Sequence, residues 1–162
     1  MTESHDHSGP QRQRELVDRI KTAILEGGDF DSPLAEIIET EGAKAIMPLL
    51  LMMDFNEDQT HEMYAITHAV ESFPDELYVK ELIQSVEDTS RASPNFLRFL
   101  LARIMNSQDC SKSFEQTAQT ASDETKRVLL DILGKVRTQY LGKSEICKNC
   151  DHALSLLSKK QK

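Results

Sequence analysis

Apolar residues recur along the chain at steps of three and four, the spacing that gives a helix one face for a core. Leu16, Val17, Ile20 and Ile24 predict a first helix over Gln13 to Leu25, ended by Gly27-Gly28. In the loop 29–33, Ser32 is expected to cap a short second helix, Leu34 to Thr40, with Pro33 in its first position and Leu34, Ile37 and Ile38 inward. Gly42 separates this from a third segment, Ala43 to Met53, apolar on most sides and therefore central. Pro48 lacks a backbone donor, so it either kinks this helix or marks its real start. After the acidic turn holding Asp54, Asn56, Glu57 and Asp58, a fourth helix runs from about Asp58 to Phe73. It carries two stripes: Met63, Ile66, Val70 and Phe73 for a core, and a polar one of Glu57, His61, Tyr64, His68 and Glu71.

Pro74 stops that helix, and Asp75 is placed to cap a fifth, Asp75 to Val86, with Tyr78, Leu82, Ile83 and Val86 facing in. A turn over 88–92 follows. Ser93-Pro94 then opens a sixth helix, to Asn106, with Phe96, Phe99, Leu100, Leu101 and Ile104 apolar. A weaker helix is expected over Ser111 to Thr120. Ser122 caps the next, Asp123 to Tyr140, on the narrow stripe Leu129, Ile132, Leu133 and Val136. Gly142 breaks it, and a terminal helix covers Ser144 to Ser158.

The fold class is therefore all-α. Short turns imply antiparallel helical pairs, arranged as a small HEAT-like α-solenoid or an ordinary bundle of about seven to eight helices. A chain of 162 residues suits one domain, read as 12–158 between a polar flexible start, 1–11, and a charged tail, 159–162.

Charge changes the picture more than composition does. Residues 1–90 hold 20 Asp and Glu against 6 Lys and Arg, a balance of −14, whereas residues 91–162 hold 7 against 13, a balance of +6. Glu39 to Asp88 alone carries 12 acids and 2 bases. So negative a field repels nucleic acid and steers a basic protein toward the first half, unless the acids merely solvate helix faces. No run approaches the roughly 20 apolar residues that span a bilayer, the start lacks the apolar core of a secretory signal, and three cysteines supply no disulfide framework. Cytoplasmic residence is the default expectation.

Candidate chemistry is sparse. Cys147-Lys148-Asn149-Cys150, followed by Asp151-His152, has the spacing of half a zinc site, and a redox pair is the other reading, yet no second pair completes four ligands. His61 and His68 sit roughly 10 Å apart along a helix axis, too far for one ion. The plain reading of that stripe is a polar helix face with one histidine buried and hydrogen-bonded; the alternative is a partner-contact face. Residues 54–58 lack the central Gly and terminal Glu of a calcium loop. No phosphate-binding or nucleophile motif is present, so no catalytic residue, cofactor or metal is assigned.

Two segments point further. His68-Ala69-Val70-Glu71-Ser72-Phe73, followed by a proline, resembles a His-Ala-Ile-Glu-x-Phe signature. Ser93-Pro94-Asn95-Phe96, leading to Arg103-Ile104-Met105-Asn106-Ser107, resembles a Ser-Pro-x-aromatic start and an Arg-Ile-Leu-Asn-Ser end. Together they are similar to the all-helical immunity proteins of bacterial polymorphic toxin systems, the immunity protein thirty family, which includes partners of contact-dependent growth-inhibition toxins. The resemblance covers about Gly42 to Ser107, extends weakly to Val136, and has Phe96 in place of a Trp and Val70 in place of an Ile.

The resemblance implies a non-enzymatic protein that binds a cognate toxin C-terminal domain in the producing cell. Many such domains are nucleases with basic clefts, which an acidic surface could occupy. The expected contacts are Asp54, Glu57, Asp58, His61, Tyr64, Asp75 and Glu76; His68, Glu71, Arg103 and Asn106 match the motif and are expected to be structural, with a Glu71–Arg103 pair between helices. Neither nucleic acid, membrane nor small-molecule substrate is expected as a partner. Two other readings stay open: a HEAT-like adaptor for another host protein, and a small metal or redox protein using the CKNC tail.

Overall fold

The structure, a computed structural model, describes residues 8–53 and 60–159, and within them it is built from helices alone. The helices are α1 (Ser8–Glu26), α2 (Asp31–Glu41), a 3-10 turn (Gly42–Ala45), α3 (Ile46–Met52), α4 (Thr60–Glu71), α5 (Asp75–Ala92), α6 (Pro94–Met105), α7 (Gln108–Gln119), α8 (Asp123–Gln139) and α9 (Ser144–Leu157).

Local chemistry explains most of these boundaries. Gly27 takes φ 68° after α1, and the Gly28 N–H turns back to the Ala23 carbonyl at 2.7 Å, a glycine-dependent helix stop. The cap of α2 corrects the sequence expectation. Asp29 rather than Ser32 closes its first turn, its carboxylate accepting from the Asp31 and Ser32 N–H groups and the Ser32 hydroxyl. A carboxylate serves free N–H groups better than a hydroxyl does, and these hydrogen bonds hold the Asp29 carboxyl below its usual range. Pro48 lies in the first turn of α3, where its missing N–H costs no helical bond, so it marks the start rather than a kink.

The largest departure is α5. It continues six residues past Val86, through the segment expected to be a turn, to Ala92. Thr89 is fully buried and its hydroxyl reaches the Ser85 hydroxyl, so one more helical turn is held inside by polar atoms that satisfy each other. Apolar periodicity has no register for such a turn. Asp75 is likewise not a cap: Pro74 holds that position, its carbonyl accepting from Leu77 and Tyr78, and Asp75 begins the first turn.

Helix α5 is the centre, packing against α3, α4, α6, α7 and α8. Interior helices meet not only their chain neighbours but the helix two along: α3 on α5, α5 on α7, α6 on α8 and α7 on α9. That is how an α-solenoid propagates its core. The apolar stripes read from the sequence converge in it: Leu16, Ile20, Ile37, Ile66, Val70, Leu82, Val86, Phe96, Leu100, Leu129, Leu133 and Val136 are all buried. Among the described residues no helix is long and apolar enough to cross a membrane.

Candidate functional site: the outward face of α4 and the cleft at its end

On α4, Met63, Ile66, Thr67 and Val70 turn inward, and the Thr67 hydroxyl is satisfied by the Met63 carbonyl at 2.7 Å. One polar stripe then faces out: His61, Tyr64 and His68 are exposed, and Glu71 is half-buried at the end. Neither histidine is buried, which corrects the expectation that one would be. They share a helix face with a tyrosine that is 42% exposed.

This face is fixed from beneath by α6. The Tyr64 ring meets Phe99 edge-on at 5.5 Å, Phe99 lies near-parallel to buried Phe96 at 6.4 Å, and the Arg103 guanidinium sits 5.6 Å from the Phe99 centroid. Arg103 also donates from Nε and one terminal nitrogen to the two carboxylate oxygens of Glu71, both at 2.6 Å. Residues 64, 68 and 71 of α4 thus run alongside 96, 99 and 103 of α6, joined by an aromatic contact at one end and a two-pronged ion pair at the other. The pair keeps the Arg103 guanidinium firmly charged.

Water reaches both partners, with side-chain exposures of 24% for Glu71 and 34% for Arg103, so the pair contributes less than a buried one. Glu71→Ala is expected to lower unfolding free energy by about 1–2 kcal/mol, read by urea titration. An unchanged midpoint would mean the pair holds nothing in place.

Beyond Glu71 the C-terminal ends of α4 and α6 meet the N-terminal ends of α5 and α7 around a cleft of about 350 Å³. Glu71, Asp75, Tyr78, Arg103, Asn106 and Cys110 are among its lining. Tyr78 is 1% exposed, and its hydroxyl is the one buried side-chain polar atom among the described residues without a hydrogen-bond partner. Burial first, and then the nearby Glu71 carboxylate, push its phenol far above the usual tyrosine range. Burial also raises the Cys110 thiol, which faces Asp75.

The expected contact residues are therefore divided. Asp54, Glu57 and Asp58 lie outside the described residues. His61 and Tyr64 share the α4 face. Asp75 and Glu76, adjacent in sequence, part company: Asp75 lines the cleft, while exposed Glu76 borders a separate groove with Lys80 and Ser113 between α5 and α7. Of the motif residues, Glu71, Arg103 and Asn106 meet at the cleft and His68 stays on the face beside Tyr64. The sequence reading placed Tyr78 only in a core stripe. The available signal was chemical, since a tyrosine at a core position must find a partner for its hydroxyl.

The tail motif is structural in this arrangement. The Cys147 thiol points to the Tyr140 carbonyl at 3.3 Å, and Cys150 is buried in the core. Asn149 donates to the Met105 carbonyl at 2.8 Å, closing the end of α6. Asp151 pairs with Arg137, and His152 lies 3.4 Å from Glu115. Together these side chains tie α9 to α6, α7 and α8, and among the described residues no three His, Cys, Asp or Glu groups converge to hold a metal.

Burial pushes the Cys150 thiol up to about 11 from an ordinary 9. At pH 7.5 its thiolate should be roughly a hundredfold scarcer than that of an unperturbed thiol, so alkylation of native protein by iodoacetamide is expected to spare Cys150. A thiol whose pKa rises on folding stabilises the fold below the unfolded value and loses that contribution as pH climbs through the folded one. Stability is thus expected to fall between about pH 9 and 11, followed by thermal melts.

The segment holding both α4 and the cleft coincides with a family match. The family model described as Immunity protein 30 matches residues 22–114, more than half of the chain. The chain belongs to the immunity protein 30 family. No curated protein and no solved structure matches it. The family segment begins in α1, twenty residues before the resemblance read from the motifs, and ends inside α7 rather than continuing toward Val136. It includes the whole α4–α6 contact and every lining residue of the cleft, and it excludes the tail motif. Membership of an immunity family points to a non-catalytic role.

Proposed function

We propose that this protein confers immunity by binding a cognate toxin domain in the cell that makes it, covering the toxin without making or breaking covalent bonds. The observation that supports this most is the outward face of α4. A half-exposed tyrosine stands between two exposed histidines, its ring edge-on to Phe99, which Arg103 covers in turn, within the family segment. Tyrosines that remain ordered while exposed are the usual anchors of tight interfaces, because little entropy is lost when a partner covers them.

The acidic surround supports a basic toxin surface, such as the substrate cleft of a nuclease. Among the described residues Glu39, Glu62, Glu76 and Glu81 enter no ion pair, whereas Glu36 is held by Arg12 and Arg19 and Glu87 lies near Arg91. The turn with Asp54, Glu57 and Asp58 enters the proposal on sequence grounds alone. Co-expression with the toxin domain encoded beside this gene, scored by growth rescue and by a co-purifying complex, tests the reading. Rescue with a stoichiometric complex is expected, and toxicity undiminished by the protein would refute it.

Charge reversal at Glu57 and Asp58 to Lys should weaken the complex about tenfold, mainly through a slower, more salt-sensitive association rate, with no change in melting temperature. Equal rates for variant and native protein would remove the acidic turn from the interface.

A further inference from the structure

We infer that the cleft between the ends of α4 to α7 is a receptor for a single alkylammonium group, supplied by a lysine of the toxin domain. This rests on the toxin-binding reading above and says where on the protein a partner side chain enters.

The buried Tyr78 hydroxyl has no hydrogen-bond partner among the described residues. A hydroxyl removed from water and left unpaired weakens the fold, and native proteins retain few such groups. Tyr78 lines a cleft of about 350 Å³ that water reaches at Glu71 and Arg103, while its own hydroxyl stays buried. The charged lining decides what could enter. Glu71 and Asp75 are negative and Arg103 is positive, which leaves one uncompensated negative charge.

Arg103 is not available to an incoming anion, because it is committed to both oxygens of Glu71. The other local fields agree. The ends of α4 and α6 carry the negative poles of their helices, although the last α6 carbonyls, Ala102, Arg103, Ile104 and Met105, are already bonded to Asn106, Ser107 and Asn149. The positive pole of α7 is already offset by Asp109 in its first turn and by the Ser107 hydroxyl on the Cys110 N–H. A compact cation with several donors suits the site better than a planar fork. The open acceptors, the Tyr78 oxygen and the Asp75 carboxylate, belong to separate side chains, whereas the carboxylate already gripped by a fork has its arginine.

The test sets fold stability against binding. Tyr78→Phe removes a buried unpaired hydroxyl without leaving a cavity, so its melting temperature should rise by about 2–4 °C. The same variant, and Asp75→Asn, should bind the toxin domain about tenfold more weakly than native protein. Opposite signs for stability and affinity in one substitution distinguish a ligand-facing hydroxyl from a structural one. Full-length native protein titrated with n-butylammonium chloride should show the amides of Ser107 and Cys110 shifting at millimolar concentration, with n-butanol and sodium chloride inert.

Native affinity in both variants would overturn the cleft while leaving the toxin-binding reading intact. If native protein forms no toxin complex, that reading fails. Selective response to butylammonium would then assign the cleft to a free amine, and no response would overturn the amine site itself.

Discussion

Tyr64→Ala is expected to weaken the complex with the toxin domain about 30- to 100-fold while the protein stays folded. The figure follows from the position of the ring. A central aromatic that is fully covered on binding typically accounts for 2 kcal/mol or more of the binding free energy, and every 1.4 kcal/mol is a factor of ten. Tyr64 is 42% exposed, so it has surface left to bury, and its edge-on contact with Phe99 means that burial requires little further ordering.

The same contact sets the side effect. Losing an edge-to-face aromatic pair costs about 0.5–1.5 kcal/mol of stability, a few degrees of melting temperature. Tyr64→Phe keeps the ring and should retain most of the affinity if packing dominates, whereas a loss equal to that of alanine would assign the effect to the hydroxyl. Calorimetry on the purified pair measures both. A change of less than threefold for Tyr64→Ala would place the interface off α4.

Phe96→Ala should have the largest effect on the fold, about 3–5 kcal/mol in urea unfolding. Phe96 is fully buried, and its ring carries Phe99, which in turn carries Tyr64 and Arg103. The cavity would therefore loosen the α4 face from beneath as well as weaken the core. Neutralisation at growth temperature should fail although no contact residue has changed, and cooling should restore part of it. Phe96→Leu, which leaves a smaller void, should lose less than alanine does. A loss under 1 kcal/mol for alanine would be incompatible with a fully buried ring at position 96.

These two substitutions sit at the ends of one short column of side chains, and the column shows what kind of information the chain carries. Its members were visible in the sequence as two separate stripes, 64, 68 and 71 on one helix and 96, 99 and 103 on another. Helical spacing alone puts each set on one face. The pairing of Glu71 with Arg103 was expected from the motif resemblance, and the geometry places them in contact. The Tyr64–Phe99 contact was not legible, because it depends on where α6 lies along α4, which no pattern within either helix states.

The sequence by itself determined that the chain is all helix, which residues form the core, and that the first half is acidic, since helical periodicity and charge are local properties of residue order. The tertiary structure alone decided the rest. It sent neighbouring Asp75 and Glu76 to different surfaces, because residues one apart on a helix diverge by about 100° and each meets whatever helix packs there. It turned a suggestive cysteine motif into a set of staples on α6, α7 and α8. It also left Tyr78 facing a cleft with no partner, since a hydroxyl's satisfaction depends on atoms brought from four different helix ends.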